Sequence, residues 1–116
     1  DHASVFQGGR YNWVVAKDVL EHIQDVDGTI TTLMDVATTG VFAVVPLSMV
    51  DGEEYAILDY EKDVTHIHRL TLATWASLFM RVGWSVEARY RVEGIKDNYY
   101  RAGWEAGNGF LTCRRI

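Results

Sequence analysis

The side chains best suited to chemistry fall in two short stretches. In Lys17-Asp18-Val19-Leu20-Glu21-His22-Ile23 an apolar run gives way to a cation, two carboxylates and an imidazole. In Asp63-Val64-Thr65-His66-Ile67-His68 two imidazoles stand two positions apart. On extended chain, positions i and i+2 point the same way, so His66 and His68 could share a metal ion. Asp63, Glu61 or the distant His22 could supply a third ligand. Two histidines without a fixed third ligand hold a metal poorly. The plainer expectation is that one packs or hydrogen-bonds while the other faces water, and no metal is expected. Either ring could act as a general base toward an acceptor, because imidazole changes charge near neutral pH. Asp18 reads most simply as a cap, its carboxylate accepting from the open amides of a turn over Val19 to Ile23. Glu21 and His22 then project near the carboxyl edge of the sheet that holds Tyr11 to Ala16. In open α/β sheets, ligands sit beyond the carboxyl ends of the strands.

The elements that must position these groups follow from periodicity. Tyr11 to Ala16 and Val41 to Pro46 are short and rich in Val and aromatics, as strands buried on both faces are. Between them, in Asp27 to Thr39, Ile30, Leu33, Met34 and Ala37 form one apolar helical stripe. Asp25 or Asp27 suits the start of that helix, and Gly40 suits a left-handed exit. The result is a strand-helix-strand unit with a right-handed crossover. Thr71 caps a second helix that buries Leu72, Trp75, Leu78, Phe79 and Val82 and ends at Gly83. Trp84 to Val92 alternates with period two, which marks a strand with one wet face.

Phe110 to Ile116 follows a glycine-rich bend and reads as an antiparallel return. Leu47 to Leu70 is long for a loop in a compact domain, and such loops are usually functional. Within it Tyr55 to Leu58 is expected as a short extra strand. Trp13, Trp75, Trp84, Tyr90 and Phe110 are expected to pack, and Tyr99, Tyr100 and Trp104 to anchor the last loop half-buried.

Composition bounds the function. At 116 residues the chain forms a single domain spanning residues 1–116. Its 48% apolar and 23% charged content is that of an ordinary globular protein. A net charge of −5 argues against a general nucleic-acid binder, and Arg114 with Arg115 is too small a basic patch to reverse that. No apolar run is long enough to cross a bilayer, so no membrane partner is expected. Cys113 stands alone, which excludes an internal disulfide and a Cys-rich zinc site and makes a reducing, cytoplasmic setting the expectation.

In order and spacing, several segments resemble class I S-adenosylmethionine-dependent methyltransferases of the small-molecule type. They are the first strand, the Asp18-Val19-Leu20-Glu21-His22-Ile23 string, the next helix, and the strand ending in Pro46. The Asp63 to Thr71 block follows, leading into a Trp-bearing helix, a Gly and an aromatic-rich strand. The likeness runs from about Tyr11 to the end and covers the carboxyl-terminal half of such an enzyme. It implies an α/β fold: a partial Rossmann-like sheet of four mixed strands in order 1-2-4-3, the last antiparallel, with helices packed on it. It implies S-adenosylmethionine as cofactor, with Lys17, Asp18, Val19 and His22 near its methionine part. It also implies a small-molecule acceptor near Pro46 and Tyr60, with His66 and His68 as the catalytic pair.

One part of the family pattern has no counterpart. Members carry a Glu-x-Gly-x-Gly loop after their first strand and an acidic residue closing the second, but only ten residues precede Tyr11. Glu105-Ala106-Gly107-Asn108-Gly109 spells the loop in the wrong place. The motif needs a strand before it and a helix after it, whereas only seven strand-like residues follow. Turn chemistry is the reading there. By itself the chain is therefore expected to bind the cofactor poorly or not at all. It would be an incomplete or split enzyme, or a non-catalytic binding module that keeps the half-fold. Its Tyr11 strand would lack one neighbour, and a bare apolar edge invites pairing. A homodimer, or a complementing amino-terminal half, is the expected partner.

Overall fold

The computed structural model describes residues 11–57, 60, 61, 64–90, 92 and 107–115. Leu58, Asp63, Tyr99, Tyr100, Trp104, Glu105 and Ala106, which figure in the sequence reading, lie outside them. In chain order the elements are β1 (Tyr11–Lys17), a 3-10 turn (Leu20–His22), α1 (Val26–Val36), β2 (Ala37–Pro46), α2 (Leu72–Arg81), β3 (Trp84–Arg89) and β4 (Asn108–Arg115).

The sheet runs β1-β2-β4-β3, the expected spatial order, with β4 antiparallel to both of its neighbours. β1 and β2 are parallel, with Val14 beside Val41 and Lys17 beside Val44. Strand side chains alternate between faces, and the inward set of each strand meets the helices. Val14, Ala16, Val41, Ala43, Val45, Leu111 and Cys113 share one core cluster with Ile30 and Leu33 of α1 and Trp75, Leu78 and Phe79 of α2. Full burial of each large apolar side chain contributes on the order of 2 kcal/mol. Cys113 belongs to this core, and burial pushes its thiol up to about 12. It packs as a small apolar group and is not a nucleophile.

α1 begins where the sequence places it, with Asp25 Oδ1 accepting from the Gly28 amide at 3.0 Å. It ends at Val36, three residues before the expected limit at Thr39, and β2 starts at Ala37. The β-branched Thr38-Thr39 pair favours extended chain, and β1 and the end of β4 hold it there. Ala37 pairs with Tyr11, and its carbonyl accepts from Arg115 Nε at 2.7 Å. Gly40 is thus a mid-strand residue and not a helix exit. A Cβ there would collide with the Cys113 carbonyl and the Trp13 ring, so the glycine permits close approach.

α2 matches its expected ends. Thr71 Oγ1 accepts from the Thr74 amide at 3.2 Å, and Gly83 takes the left-handed conformation at φ 96°. Trp75, Trp84 and Phe110 are buried as expected, but Trp13 and Tyr90 are 40% and 44% exposed. Trp13 lies on the terminal strand and Tyr90 just past the end of β3, where no second strand covers them among the described residues. The strand expected over Trp84 to Val92 stops at Arg89, and the one expected from Phe110 starts at Asn108. In the long loop, the expected extra strand at Tyr55 is a single bridge between Ser48 and Tyr55. Among the described residues no helix is long and apolar enough to cross a membrane.

The same loop braces α2. Asp51 Oδ1 accepts from the Thr71 amide at 2.8 Å and Oδ2 from Thr74 Oγ1 at 2.6 Å. These bonds, that to the Thr74 hydroxyl foremost, hold the Asp51 carboxyl below its ordinary value. Asp51→Ala is expected to cost about 1 kcal/mol, the lower end for a charged cap because the site is exposed. A group whose pKa falls on folding stabilises fully above its unfolded value, about 3.9, and loses that contribution as pH falls through the lower folded value. Urea denaturation at neutral pH and in acid checks both: the gap between wild type and variant should close at low pH.

Candidate functional site

Parallel pairing brings the carboxyl ends of β1 and β2 to one edge of the sheet. β4, running the other way, begins at that edge, with Asn108 opposite Pro46. The corner after β1 is tight. The Asp18 amide donates to the Val44 carbonyl at 3.2 Å, and Asp18 itself adopts φ 56°, a left-handed conformation that Asp tolerates better than most residues. This corner shifts the start of the 3-10 turn to Val19, and no side chain caps it. The expected Asp18 cap is therefore absent from the turn. Lys17 and Asp18 are exposed, Val19 is half-buried, and Leu20 and Glu21 are buried.

The long loop folds back over this turn. The Ile67 and His68 amides both donate to the Glu21 carbonyl, at 2.9 and 3.3 Å. That clamp sets the two expected catalytic histidines apart. His66 turns toward the 3-10 turn, its ring centroid 4.5 Å from that of His22. Its Nε2 lies 3.9 Å from Glu21 Oε2, and His22 Nε2 lies 3.7 Å from the same oxygen. His68 turns away: its Nε2 donates to the Ile23 carbonyl, and its ring meets Trp75 edge-on. The two rings therefore cannot share a metal as the extended pattern suggested.

Aromatic rings and Asn108 complete the site. Tyr55 and Tyr60 meet the His66 ring edge-on at 5.4 and 5.6 Å, and the Tyr60 hydroxyl donates to Asn108 Oδ1 at 2.9 Å. The Tyr55 hydroxyl donates to the His68 carbonyl at 2.7 Å, and the Arg69 guanidinium covers the Tyr55 ring. Arg69 also donates to Glu61, which in turn accepts from the Tyr55 amide. Pro46 is buried, and its carbonyl accepts from Trp75 Nε1 at 3.3 Å.

Of the expected site residues, the structure gathers His22, Tyr60 and His66 with Pro46 behind them. It leaves Lys17 and Asp18 at the open rim and sends His68 into packing. Sequence reasoning passed over Tyr55, Asn108 and the full burial of Glu21. Asn108 could have been found from strand alignment, since it opens β4 flush with the end of β2. Glu21 was flagged by its neighbour His22 but carried no burial signal.

No protein-family model matches the chain, and no curated protein sequence matches it significantly. Solved structures do. A magnesium protoporphyrin IX methyltransferase from Synechocystis with bound S-adenosylhomocysteine superposes on all of this chain and 49% of that one, with a TM-score of 0.64 at 18% identity. An S-adenosylmethionine-dependent methyltransferase from Archaeoglobus fulgidus gives 0.67 at 9% identity, over 98% of this chain and 63% of that one. The fold is that of the S-adenosylmethionine-dependent methyltransferases. A possible histamine N-methyltransferase from Thermotoga maritima agrees, at a TM-score of 0.59 and 10% identity over 94% of this chain and 59% of that one. This chain thus spans about half the length of the Synechocystis methyltransferase. On the methyltransferase fold, the Glu21-His22-His66 group lies at the carboxyl edge of the sheet, the edge where open α/β sheets bind ligands.

The Tyr60–Asn108 hydrogen bond ties the loop to that edge. A double-mutant cycle with Tyr60→Phe and Asn108→Ala should show a coupling of about 1 kcal/mol by chemical denaturation. Additive losses would mean that the bond does not fasten the loop.

Proposed function

We propose that the chain is the carboxyl-terminal half of an S-adenosylmethionine-dependent methyltransferase acting on a small-molecule acceptor, with weak or no activity alone. The observation that carries this reading is the coincidence of a methyltransferase half-sheet with a polar, aromatic-walled cluster at its carboxyl edge. Lys17, Asp18, Val19 and His22 face the cofactor side. The exposed ammonium of Lys17 and carboxylate of Asp18 suit the two charged ends of an amino-acid moiety, so the residues present fit the methionine part of the cofactor. When bound, that cofactor supplies an electrophilic methyl group on sulfur.

Pro46, Tyr60 and His66 line the acceptor side. Tyr55 and Tyr60 offer ring edges that limit where an acceptor can sit, and orientation alone accounts for much of the rate in a direct transfer. His66 is placed to take the acceptor proton as the nucleophile forms its new bond. His68, committed to the Ile23 carbonyl and Trp75, positions the loop and leaves His66 as the base. The nucleoside-binding glycine loop belongs, in this reading, to a complementing amino-terminal half. The lone buried thiol of Cys113 suits a reducing, cytoplasmic setting.

Isothermal titration with S-adenosylmethionine and S-adenosylhomocysteine tests the proposal. Weak but saturable binding, reduced by Asp18→Ala, is the expected outcome. Complete absence of binding, even with an amino-terminal half from a structural neighbour added in trans, would sink the enzymatic reading.

A second reading rests on β1, the terminal strand of the described sheet, where Tyr11, Trp13 and Val15 are 50%, 40% and 65% exposed and alternate with the core residues Val14 and Ala16. Such an edge suits a binding module that keeps the half-fold for assembly as a homodimer. Sedimentation velocity across a concentration series should then show a dimer that Val15→Lys dissolves, whereas a monomer at every concentration removes this reading.

A further inference from the structure

We propose that Glu21, His22 and His66 form a binding site for one divalent transition-metal cation. The site stands on this chain's own residues and is an alternative to the general-base role of His66, because a nitrogen that holds an ion cannot also take a proton. The donor set comes first. One carboxylate oxygen and two imidazole nitrogens converge so that all three lie within 4.8 Å of one another. Glu21 Oε2 is 3.7 Å from His22 Nε2 and 3.9 Å from His66 Nε2, both beyond hydrogen-bond length. A tetrahedral ion with bonds of about 2.1 Å needs its donors about 3.4 Å apart. Closing the two gaps to the carboxylate takes shifts of a few tenths of an ångström, and the two imidazole nitrogens, within 4.8 Å of each other, close by rotation of their rings.

Orientation is the second argument. His22 Nδ1 lies 3.1 Å from the Thr65 carbonyl and 2.7 Å from the Thr65 hydroxyl. In the tautomer that carries its hydrogen on Nδ1 and donates it to the Thr65 carbonyl, Nε2 turns its lone pair toward Glu21. A ring fixed through one nitrogen by a backbone carbonyl, with the other nitrogen presented, is the usual arrangement of a metal-binding histidine. The ring of His66 is set by Tyr55, Tyr60 and His22, which surround it. The two amide bonds to the Glu21 carbonyl fasten the His66 loop to the turn that carries the other two donors. The donors are thus held by the backbone before any ion arrives.

Burial is the third. The Glu21 and His66 side chains are only 2% and 7% exposed. Removing a carboxylate from water strongly favours a cation held against it. His22 is 28% exposed, so the cluster opens to solvent on one side. Three protein donors with one open side describe a site that keeps a coordination position for water or a ligand. Imidazole and carboxylate donors without thiolate select zinc, cobalt or manganese over calcium and magnesium.

The test uses the full chain, made without a polyhistidine tag and stripped with EDTA. Cobalt(II) titration should produce a visible ligand-field spectrum saturating at one ion per chain, and zinc should displace it. His22→Gln, whose ring is half-exposed and whose loss the fold tolerates best, should weaken cobalt binding at least about tenfold. Glu21→Gln and His66→Gln should do the same, with far-UV circular dichroism confirming that each variant is folded. Asp35→Asn, an exposed change at the far end of α1, should bind as the wild type does. Failure of the wild type to bind cobalt, zinc and manganese overturns the proposal. So does unchanged binding in folded His22→Gln, or an equal loss in Asp35→Asn.

Discussion

Everything at the candidate site depends on the parallel pairing of β1 with β2. An antiparallel pair would send the two carboxyl ends to opposite borders of the sheet and leave the acidic turn after β1 far from Pro46. The crossover through α1 returns the chain to start β2 at the same border as β1, and the buried stripe of Ile30, Leu33 and Val36 holds that helix against the strands. β4 then enters from the opposite direction, so its first residue, Asn108, arrives where β2 ends. Three chain segments distant in sequence thus meet at one border because the strand ladders carry them there.

The backbone does the finer placing. Glu21 is buried as a side chain, yet its carbonyl is the anchor for the returning loop. A residue that presents a carboxylate inward and a carbonyl toward the loop couples the chemistry of the cluster to the path of residues 64–70. His66 and His68, though separated by one residue, consequently end up in different environments. One joins a carboxylate and tyrosine rings, and the other becomes a strut between Ile23 and Trp75.

Much of the fold was legible because it rests on local pattern. The helical stripes, the Asp25 and Thr71 caps and the Gly83 exit follow from spacing and residue type, and the order of the strands from the family resemblance. Gly40 misled because glycine serves two needs. Its place between a helix and a strand suggested a left-handed exit, whereas the reason for it is the tertiary approach of Trp13 and the Cys113 backbone. The site was legible in its residues but not in its groupings. Two histidines on extended chain share a face only while the chain stays extended, and bonds to Glu21 across more than forty positions bend it. Nothing near Asp18 announced that its backbone would turn left-handed and surrender the cap position to Val19.

Trp13 carries a consequence of its own. Its indole lies over Gly40, with the Arg114 guanidinium stacked 4.9 Å from the ring centre. The ring thus reaches across β2 toward β4, over the one position that has no side chain to block it, and away from the free border of β1. Three strands are stapled from above by a single indole, so a side chain placed at Gly40 would lift the ring and loosen the outer face of the sheet as a whole.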